Sequence, residues 1–422
     1  MKIHFLLVKD LFRGGGVETY TRGVGSRLVQ RGHEVTVYST GGDRNSPAVW
    51  QGMNVIWLPK IKPHWAEKFG GSVMAAYMAM TTDSPDIIHL HSVAAGAMSA
   101  MLRYRPAPCI VQMHGIEWKR SRWGAFAKFV LQTMERCSVR YAGALTAVSK
   151  TQCEFYFKRF GVRCEYIPTA VELKERTSPC LILDSGLRPR EYVLFAARLV
   201  PEKGAHYLIS AFRSLRTDHS LVIAGEGTPR SAYHRSLVEL AGDDRRIIFT
   251  GDVRGRLLDE LFSNAAVFVQ PSELEGLSIG LLEAMSYGLL CVASDIPENR
   301  EVVGDAGMLF HNKDAGDLAK ILEAALADTA EAVRIGARAR RRVEEFFCWD
   351  LVVDQLEQFY TRVSAESTQS AGPVVTQDFT QDFTQNLTQD FTQDFTQDLP
   401  PAKIVVPPLA EVKGQSTGVG GG

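Results

Sequence analysis

This sequence of 422 residues lacks several of the features that usually fix a protein's class. Cysteine is scarce: the seven residues at 109, 137, 153, 164, 180, 291 and 348 are odd in number and never form a Cys-x-x-Cys pair. That argues against a disulfide framework or a thiolate zinc site and for reduced thiols in a cytoplasmic protein. No window reaches the about 18 uncharged apolar residues of a transmembrane helix, so any membrane contact would be peripheral. Met1-Lys2 leads into an apolar run without a small-residue cleavage site, so no secretory signal is expected. There is no Asp-x-Asp pair, which removes a common carboxylate grip on a divalent cation. No Gly-x-Gly-x-x-Gly follows a strand-like run, and the nearest, Gly225-Glu226-Gly227-Thr228-Pro229-Arg230, breaks at its last position. That weighs against a dinucleotide-dependent oxidoreductase.

Net charge is almost absent, at −1, but the total conceals a split. Residues 1–180 hold 24 Lys and Arg against 13 Asp and Glu, residues 181–365 hold 21 against 28, and residues 366–422 hold 2 against 7. With 45% apolar residues the chain can bury a core, and its length allows two or three domains.

Short β-branched runs alternate with amphipathic stretches, which implies βαβ units and a parallel sheet. Strands are expected at 3–8, 34–39, 54–58, 87–90, 110–113, 144–148 and 165–167, with helices such as 18–31 and 123–141. The pattern restarts after a polar linker near 171–190. Strands are then expected at 192–196, 220–224, 247–250, 267–270 and 291–294, and helices at 206–215, 230–240, 255–264, 278–287, 314–326, 329–347 and 349–363. The reading is α/β: two Rossmann-like doubly wound domains, 1–170 and 171–345, facing across a cleft. A helix within 346–365 crosses back to the first domain, and 366–422 is a disordered tail. Residues 376–399 repeat a tetrapeptide six times (TQDF, TQDF, TQNL, TQDF, TQDF, TQDL), too sparse in apolar residues for a core. Its Phe residues also fit a sticky segment for a partner.

Four constellations carry chemistry. The string Pro271 to Met285 (PSELEGLSIGLLEAM) starts at a strand's carboxyl end, turns at Gly276 and opens a helix near Ser278. The amides of Leu277, Ser278 and Ile279 are helix-start donors suited to a phosphate, while Glu275 and Glu283 can accept hydrogen bonds from hydroxyl groups. In Ala197-Arg198-Leu199-Val200-Pro201-Glu202-Lys203-Gly204, Arg198 and Lys203 on a strand-end loop suit a diphosphate. Gly14-Gly15-Gly16-Val17-Glu18 lets backbone approach a ligand at a helix start, with Gly15, Gly16 and Glu18 as candidates. His114 ends a strand and points to the same cleft. Gly225 and Gly227 follow another strand, with Gly251 and Val253 beside them. Each also has a plainer reading: a flexible turn, a surface cation or a structural histidine. His89 and His91 are read as structural or gating.

Glu275-x7-Glu283, followed by Ala293-Ser294-Asp295-Ile296-Pro297, resembles the signature of the family-4 retaining glycosyltransferases of GT-B fold, over about residues 1–363. The His114–Arg120 stretch resembles bacterial polysaccharide-assembly (group 1) members of that family. The resemblance implies that Glu275 contacts the donor sugar, that Glu283 holds the nucleotide ribose, and that Arg198 and Lys203 neutralise the leaving nucleoside diphosphate. It further implies that the Gly15–Gly16 loop closes over the donor, that His114 lies beside the sugar, and that Gly225 and Gly227 border the base. Leu277-Ser278 stands where the family has an aromatic and Gly, and Ala197 where it usually has Gly. The implied function is transfer of a sugar from a nucleotide sugar to an acceptor hydroxyl with retention. No cofactor or metal is expected.

Two basic, Trp-bearing segments, 57–69 and Trp118 to Lys128, suit an anionic membrane surface or a lipid-linked saccharide acceptor. Nucleic acid is not expected as a partner, since no binding module is visible. The rival functions are a nucleotide-sugar epimerase of the same fold and a non-catalytic protein that recruits a complex through its tail.

Overall fold

A computed structural model describes residues 1–12, 15–39, 46–58, 73–79, 81, 84–91, 96–225 and 231–370, which belong to one compact unit ending at Ser370. Gly14, Gly227, most of the basic segment 57–69 and the whole TQDF tail lie outside the described residues. Among the described residues, no helix is long and apolar enough to cross a membrane.

The first sheet contains β1 (Lys2–Val8), β2 (Glu34–Ser39), β3 (Val49–Trp50), β4 (Met53–Trp57), β5 (Ile87–His91), β6 (Cys109–Met113), β7 (Ala144–Ala147) and β8 (Glu165–Tyr166), in the order β3-β4-β2-β1-β5-β6-β7-β8. β3 pairs antiparallel with β4, and the other pairings are parallel. The second contains β9 (Tyr192–Ala196), β10 (Ser220–Ala224), β11 (Ile247–Gly251), β12 (Val267–Gln270), β13 (Leu290–Ser294) and β14 (Met308–Phe310), all parallel, in the order β11-β10-β9-β12-β13-β14. Strands buried on both faces, such as β12 and β13, need apolar residues at successive positions, and parallel pairing needs helical crossovers.

Strand order reverses at β1/β5 in one sheet and at β9/β12 in the other. The crevice outside the carboxyl ends of those strands is where doubly wound sheets take ligands. The loops after β1, β6, β9 and β12 therefore form the site.

The strands β3 and β14 are absent from the sequence expectation, as are the helices Lys150–Phe160 and Pro297–Val303. Two- and three-residue strands carry too little periodicity to be legible. β3 exists because Gln51 and Gly52, at φ +47° and +80°, make a two-residue hairpin turn.

The last helix, expected to end at 363, runs from Trp349 to Ser370, so residues 366–370, expected in the tail, are helical. Trp349, Val352, Val353, Leu356, Phe359, Tyr360 and Val363 recur on one helical face and join Ile3, Phe5, Tyr20, Val24 and Leu28 in one core. The chain thus crosses between the sheets at Val171 and again at Cys348. The crossings are tied together: Val171 N–H donates to Phe347 O at 3.1 Å, and Val171 bridges Cys348 in parallel.

Trp349 lies flat against the first helix, Gly16–Gln30, at Gly23, where an added Cβ would sit 2.3 Å from the indole ring. Alanine is the better helix former by about 1 kcal/mol, yet overpacking a rigid ring costs about 1–3 kcal/mol. Gly23→Ala is therefore expected to lower the melting temperature followed by circular dichroism. A higher melting temperature would show that Trp349 can move aside.

Candidate functional site

The second sheet supplies the charged half. Past β9 the chain passes Arg198 and a short 3-10 turn, Pro201–Lys203, ending at Gly204 with φ +70°. Gly204 is required twice over, since a Cβ there would also stand 1.9 Å from Pro271 O. Glu273 N–H donates to Glu202 O at 2.9 Å, which ties this loop to the one after β12. Gly225 serves the same loop: a Cβ on it would meet Ala197 O at 1.8 Å. Its placement is thus a packing requirement one residue before Arg198.

Arg198 is exposed and has no side-chain partner among the described residues. Lys203 differs from the free cation expected: Nζ lies 2.5 Å from Glu275 Oε1. Gln270 Nε2 donates to the same oxygen at 2.9 Å. The Glu275 side chain is only 7% exposed. Burial alone would raise its pKa, but the Lys203 charge and hydrogen bonds from Lys203, Ser272 and Gln270 outweigh it and hold the carboxyl below its ordinary value. The pair is a preformed carboxylate–ammonium unit at the floor of the switch point.

Beyond Gly276 the helix Ile279–Ser286 begins. Ser278 occupies the N-cap, but its hydroxyl does not cap. It donates instead to Asn299 Oδ1 at 2.8 Å; Asn299 Nδ2 donates to Ser294 Oγ at 2.9 Å, and Ser294 Oγ to Ser272 O at 2.5 Å. This buried chain turns the serine away, so the amides that precede the first helical bond, Leu282 N–H to Ser278 O, have no side-chain cap. Uncapped helix-start amides are an anion seat. Further along, Glu283 stands near Asp259 and Lys174. Burial first, then the Asp259 charge, raise its pKa to about 7, with Lys174 opposing. Leu277 is buried, while Ile279 and Val253 are partly buried against the second core.

The first sheet supplies the neutral half. At the end of β1, Leu7 has φ +71° and the register with β2 shifts, an unfavourable backbone state for leucine that re-aims the following loop. Gly15 caps the first helix in extended conformation, and Glu18 folds back over it, with Oε2 2.1 Å from where a Cβ would stand. Gly16 reaches the second sheet's side: a Cβ there would be 3.4 Å from Ile279 Cδ1.

The halves approach closely at His114, whose carbonyl oxygen would lie 2.0 Å from a Cβ on Gly276. Gln152 Nε2 donates to Gly276 O at 3.1 Å, and Arg120 lies 3.7 Å from Glu202. Burial pushes the His114 imidazole down to about 4, so it is neutral near pH 7.

The fold therefore brings Gly16, His114, Lys203, Glu275, Gly276, Ser278 and Ile279 together, with Arg198 at the rim. Gln152, Gln270, Ser272 and Asn299 were not found from sequence. Only Gln270, last in its strand, had a local signal. Among the described residues, no group of three His, Cys, Asp or Glu side chains gathers as a metal set.

Residues 185–342 match the family model "Glycosyl transferases group 1", and residues 14–175 match "Glycosyltransferase Family 4". An α-maltose-1-phosphate synthase of Mycobacterium tuberculosis is 30% identical over 68% of this chain and 82% of its own. A glycosyltransferase of Methanocaldococcus jannaschii is 25% identical over 82% of this chain and 94% of its own. Among solved structures, sucrose-phosphate synthase from Thermosynechococcus elongatus superposes with a TM-score of 0.76 at 23% identity, covering 86% of this chain and 99% of that one. Anabaena HepE in complex with UDP and glucose gives 0.73 at 20%, covering 86% and 100%. The fold is the GT-B fold.

A carboxyl whose pKa is raised on folding binds its proton more tightly in the native state, so its contribution to stability falls as pH rises from its unfolded value to about 7. Glu283→Gln is expected to gain melting temperature relative to the unmodified protein at pH 8 and to lose that advantage at pH 5. An equal difference at both pH values would show that Glu283 titrates as an ordinary glutamate.

Proposed function

Because the chain belongs to the group 1, family 4 glycosyltransferases, we propose that it moves a hexose from a nucleoside-diphosphate sugar to an acceptor hydroxyl with retention and without a metal. The observation that carries this reading is the Lys203–Glu275 pair set beside uncapped helix amides and the exposed Arg198. Anabaena HepE, solved with UDP-glucose, supports a donor of that class.

In the proposed reaction the bond from the anomeric carbon to the diphosphate breaks. Arg198, Lys203 and the amides after Gly276 meet the negative charge that develops on the departing group. Lys203 then turns part of its charge from Glu275 to the phosphate, which frees a Glu275 oxygen for a sugar hydroxyl. Neutral His114 offers a hydrogen bond to the sugar without adding charge. The acceptor oxygen bonds to the anomeric carbon on the face the diphosphate leaves, and its proton passes to the leaving phosphate oxygen. Glu283, ionised above about pH 7, accepts from the ribose hydroxyls.

The proposed acceptor is a lipid-linked saccharide of bacterial surface polysaccharide synthesis, met at the inner face of the cell membrane. Support comes from the helix Ala125–Tyr141, which buries Glu135 yet exposes Phe126 and Phe129 at 80% and 40%. Lys119 and Arg159 flank Trp118, and Arg122 stacks on Trp123, so aromatics and cations alternate on the same side. Such a surface suits anionic headgroups. Phe126→Asp with Phe129→Asp is expected to abolish sedimentation with anionic vesicles while leaving donor hydrolysis intact. Sedimentation as before removes the membrane from the proposal.

A panel of nucleotide sugars tests the reaction. Glu275→Gln and Arg198→Ala are each expected to cut turnover of the accepted donor about 100-fold or more. Arg198→Ala should leave the melting temperature unchanged because Arg198 is exposed. Lys203→Ala, by contrast, strands a buried carboxylate and is expected to cost about 3–5 kcal/mol of stability. Normal turnover by Glu275→Gln and Arg198→Ala would overturn the assignment. Epimerisation of the donor without transfer would reassign the chain to a nucleotide-sugar epimerase.

A further inference from the structure

The helix Ile279–Ser286 begins with a residue suited to close it that does not. Serine is among the strongest N-cap residues, because its hydroxyl accepts from the second or third amide of the helix. Ser278 occupies that position, yet no amide of the first turn donates to its side chain. A capping hydroxyl and a bound anion compete for the same N–H groups, so whatever restrains Ser278 governs the anion seat.

The hydrogen bonds that restrain it are all formed, and their direction is fixed. Asn299 Nδ2 donates to the backbone oxygen of Ser294 at 3.2 Å. A carbonyl oxygen can only accept, so the Asn299 carboxamide has one orientation. Its Oδ1 therefore faces Ser278, whose hydroxyl donates to it at 2.8 Å. Asn299 Nδ2 also reaches Ser294 Oγ at 2.9 Å, and Ser294 Oγ donates to Ser272 O at 2.5 Å. Ser272, Ser278, Ser294 and Asn299 are each at most 1% exposed, so the chain is shielded from water.

A second buried group points to the same turn. Gln270 is 2% exposed, and its Nε2 donates to Ser272 Oγ at 2.7 Å and to Glu275 Oε1 at 2.9 Å. Its Oε1 is left without a partner and would lie 3.8 Å from a Cβ on Gly280, in the first turn of the helix. A buried acceptor beside open donors suits a ligand that carries a hydroxyl group as well as an anionic one.

We propose that Asn299 is a positioning residue: by holding the Ser278 hydroxyl it keeps the amides of Ile279, Gly280 and Leu281 open for a diphosphate. Fully buried, Asn299 acts through Ser278 and touches no ligand. Without the carboxamide, the Ser278 hydroxyl turns to accept from its own helix and closes the seat. That the diphosphate belongs to a nucleotide sugar rests on the proposed transfer reaction, whereas the competition between Ser278 and an anion does not.

The test is isothermal titration calorimetry of the full chain with inorganic diphosphate, in a double-substitution cycle of Asn299→Ala and Ser278→Ala. Asn299→Ala is expected to weaken diphosphate binding about tenfold, the scale of a serine cap. Introduced into Ser278→Ala, where there is no hydroxyl to close the seat, the same substitution is expected to change the affinity by less than about twofold. A residue that only supports the fold would lower the melting temperature and weaken binding by the same factor in both backgrounds. Unchanged affinity in Asn299→Ala, or an equal loss with and without the Ser278 hydroxyl, would overturn the role of Asn299 while leaving the transfer reaction standing. Failure of the unsubstituted protein to bind diphosphate would overturn the seat and the donor reading together. Circular dichroism shows whether Asn299→Ala is folded. If it is not, Asn299→Ser, which keeps a polar group toward Ser294 but is too short to reach Ser278, takes its place in the cycle with the same expected outcomes.

Discussion

The ion pair between Glu275 and Lys203 is the interaction around which the site is organised. A carboxylate this deeply buried is tolerated only with a cation and further donors beside it. The loop after β9 must therefore lie against the loop after β12, and that in turn demands glycine at 204 and 225, where a side chain would strike Pro271 O or Ala197 O. Gln270 and Ser272 complete the donors around Glu275, and the Ser272–Ser294–Asn299–Ser278 chain connects them to the uncapped helix start. One electrostatic requirement thus fixes two loops and the start of a helix.

The second constraint is contact between the halves. His114 O and Gly276 approach so closely that no side chain fits, and Gln152 and Arg120 add polar links across the same seam. Lys150 N–H donates to Glu301 Oε2 at 2.9 Å across it as well, and the covalent crossings at Val171 and Cys348 lie together. A cavity of about 650 Å³ between Lys150, Tyr166, Glu301, Arg342 and Leu351 leaves room beside them.

The two halves also divide the chemistry. The second sheet gathers full charges and amide dipoles suited to phosphate, while the first gives neutral imidazoles and glycine backbone suited to a sugar and its acceptor. Among the described cations of residues 1–180, Arg122, Arg136 and Arg140 are exposed on the helix Ala125–Tyr141 and its approach loop, while Arg120 lies at the seam. The acidic half nonetheless places Arg198 and Lys203 at the switch point.

The sequence by itself determined the two doubly wound sheets, because parallel strands buried on both faces require continuous apolar runs with helical stretches between them. Arg198, Lys203, Glu275 and Ser278 are legible as candidates because they lie in the loops that follow β9 and β12 at the switch point, whereas Glu283 lies further on, in the helix Ile279–Ser286. Tertiary structure decided everything that depends on distance through space. Lys203 is committed to Glu275 and not free, since 72 residues of chain separate partners that only sheet order brings together. Ser278 is turned from its cap by Asn299, and His89 meets Tyr360, on a helix from the far end of the chain. Hydrogen-bond partners and burial are set by packing across elements, and local spacing carries no record of them.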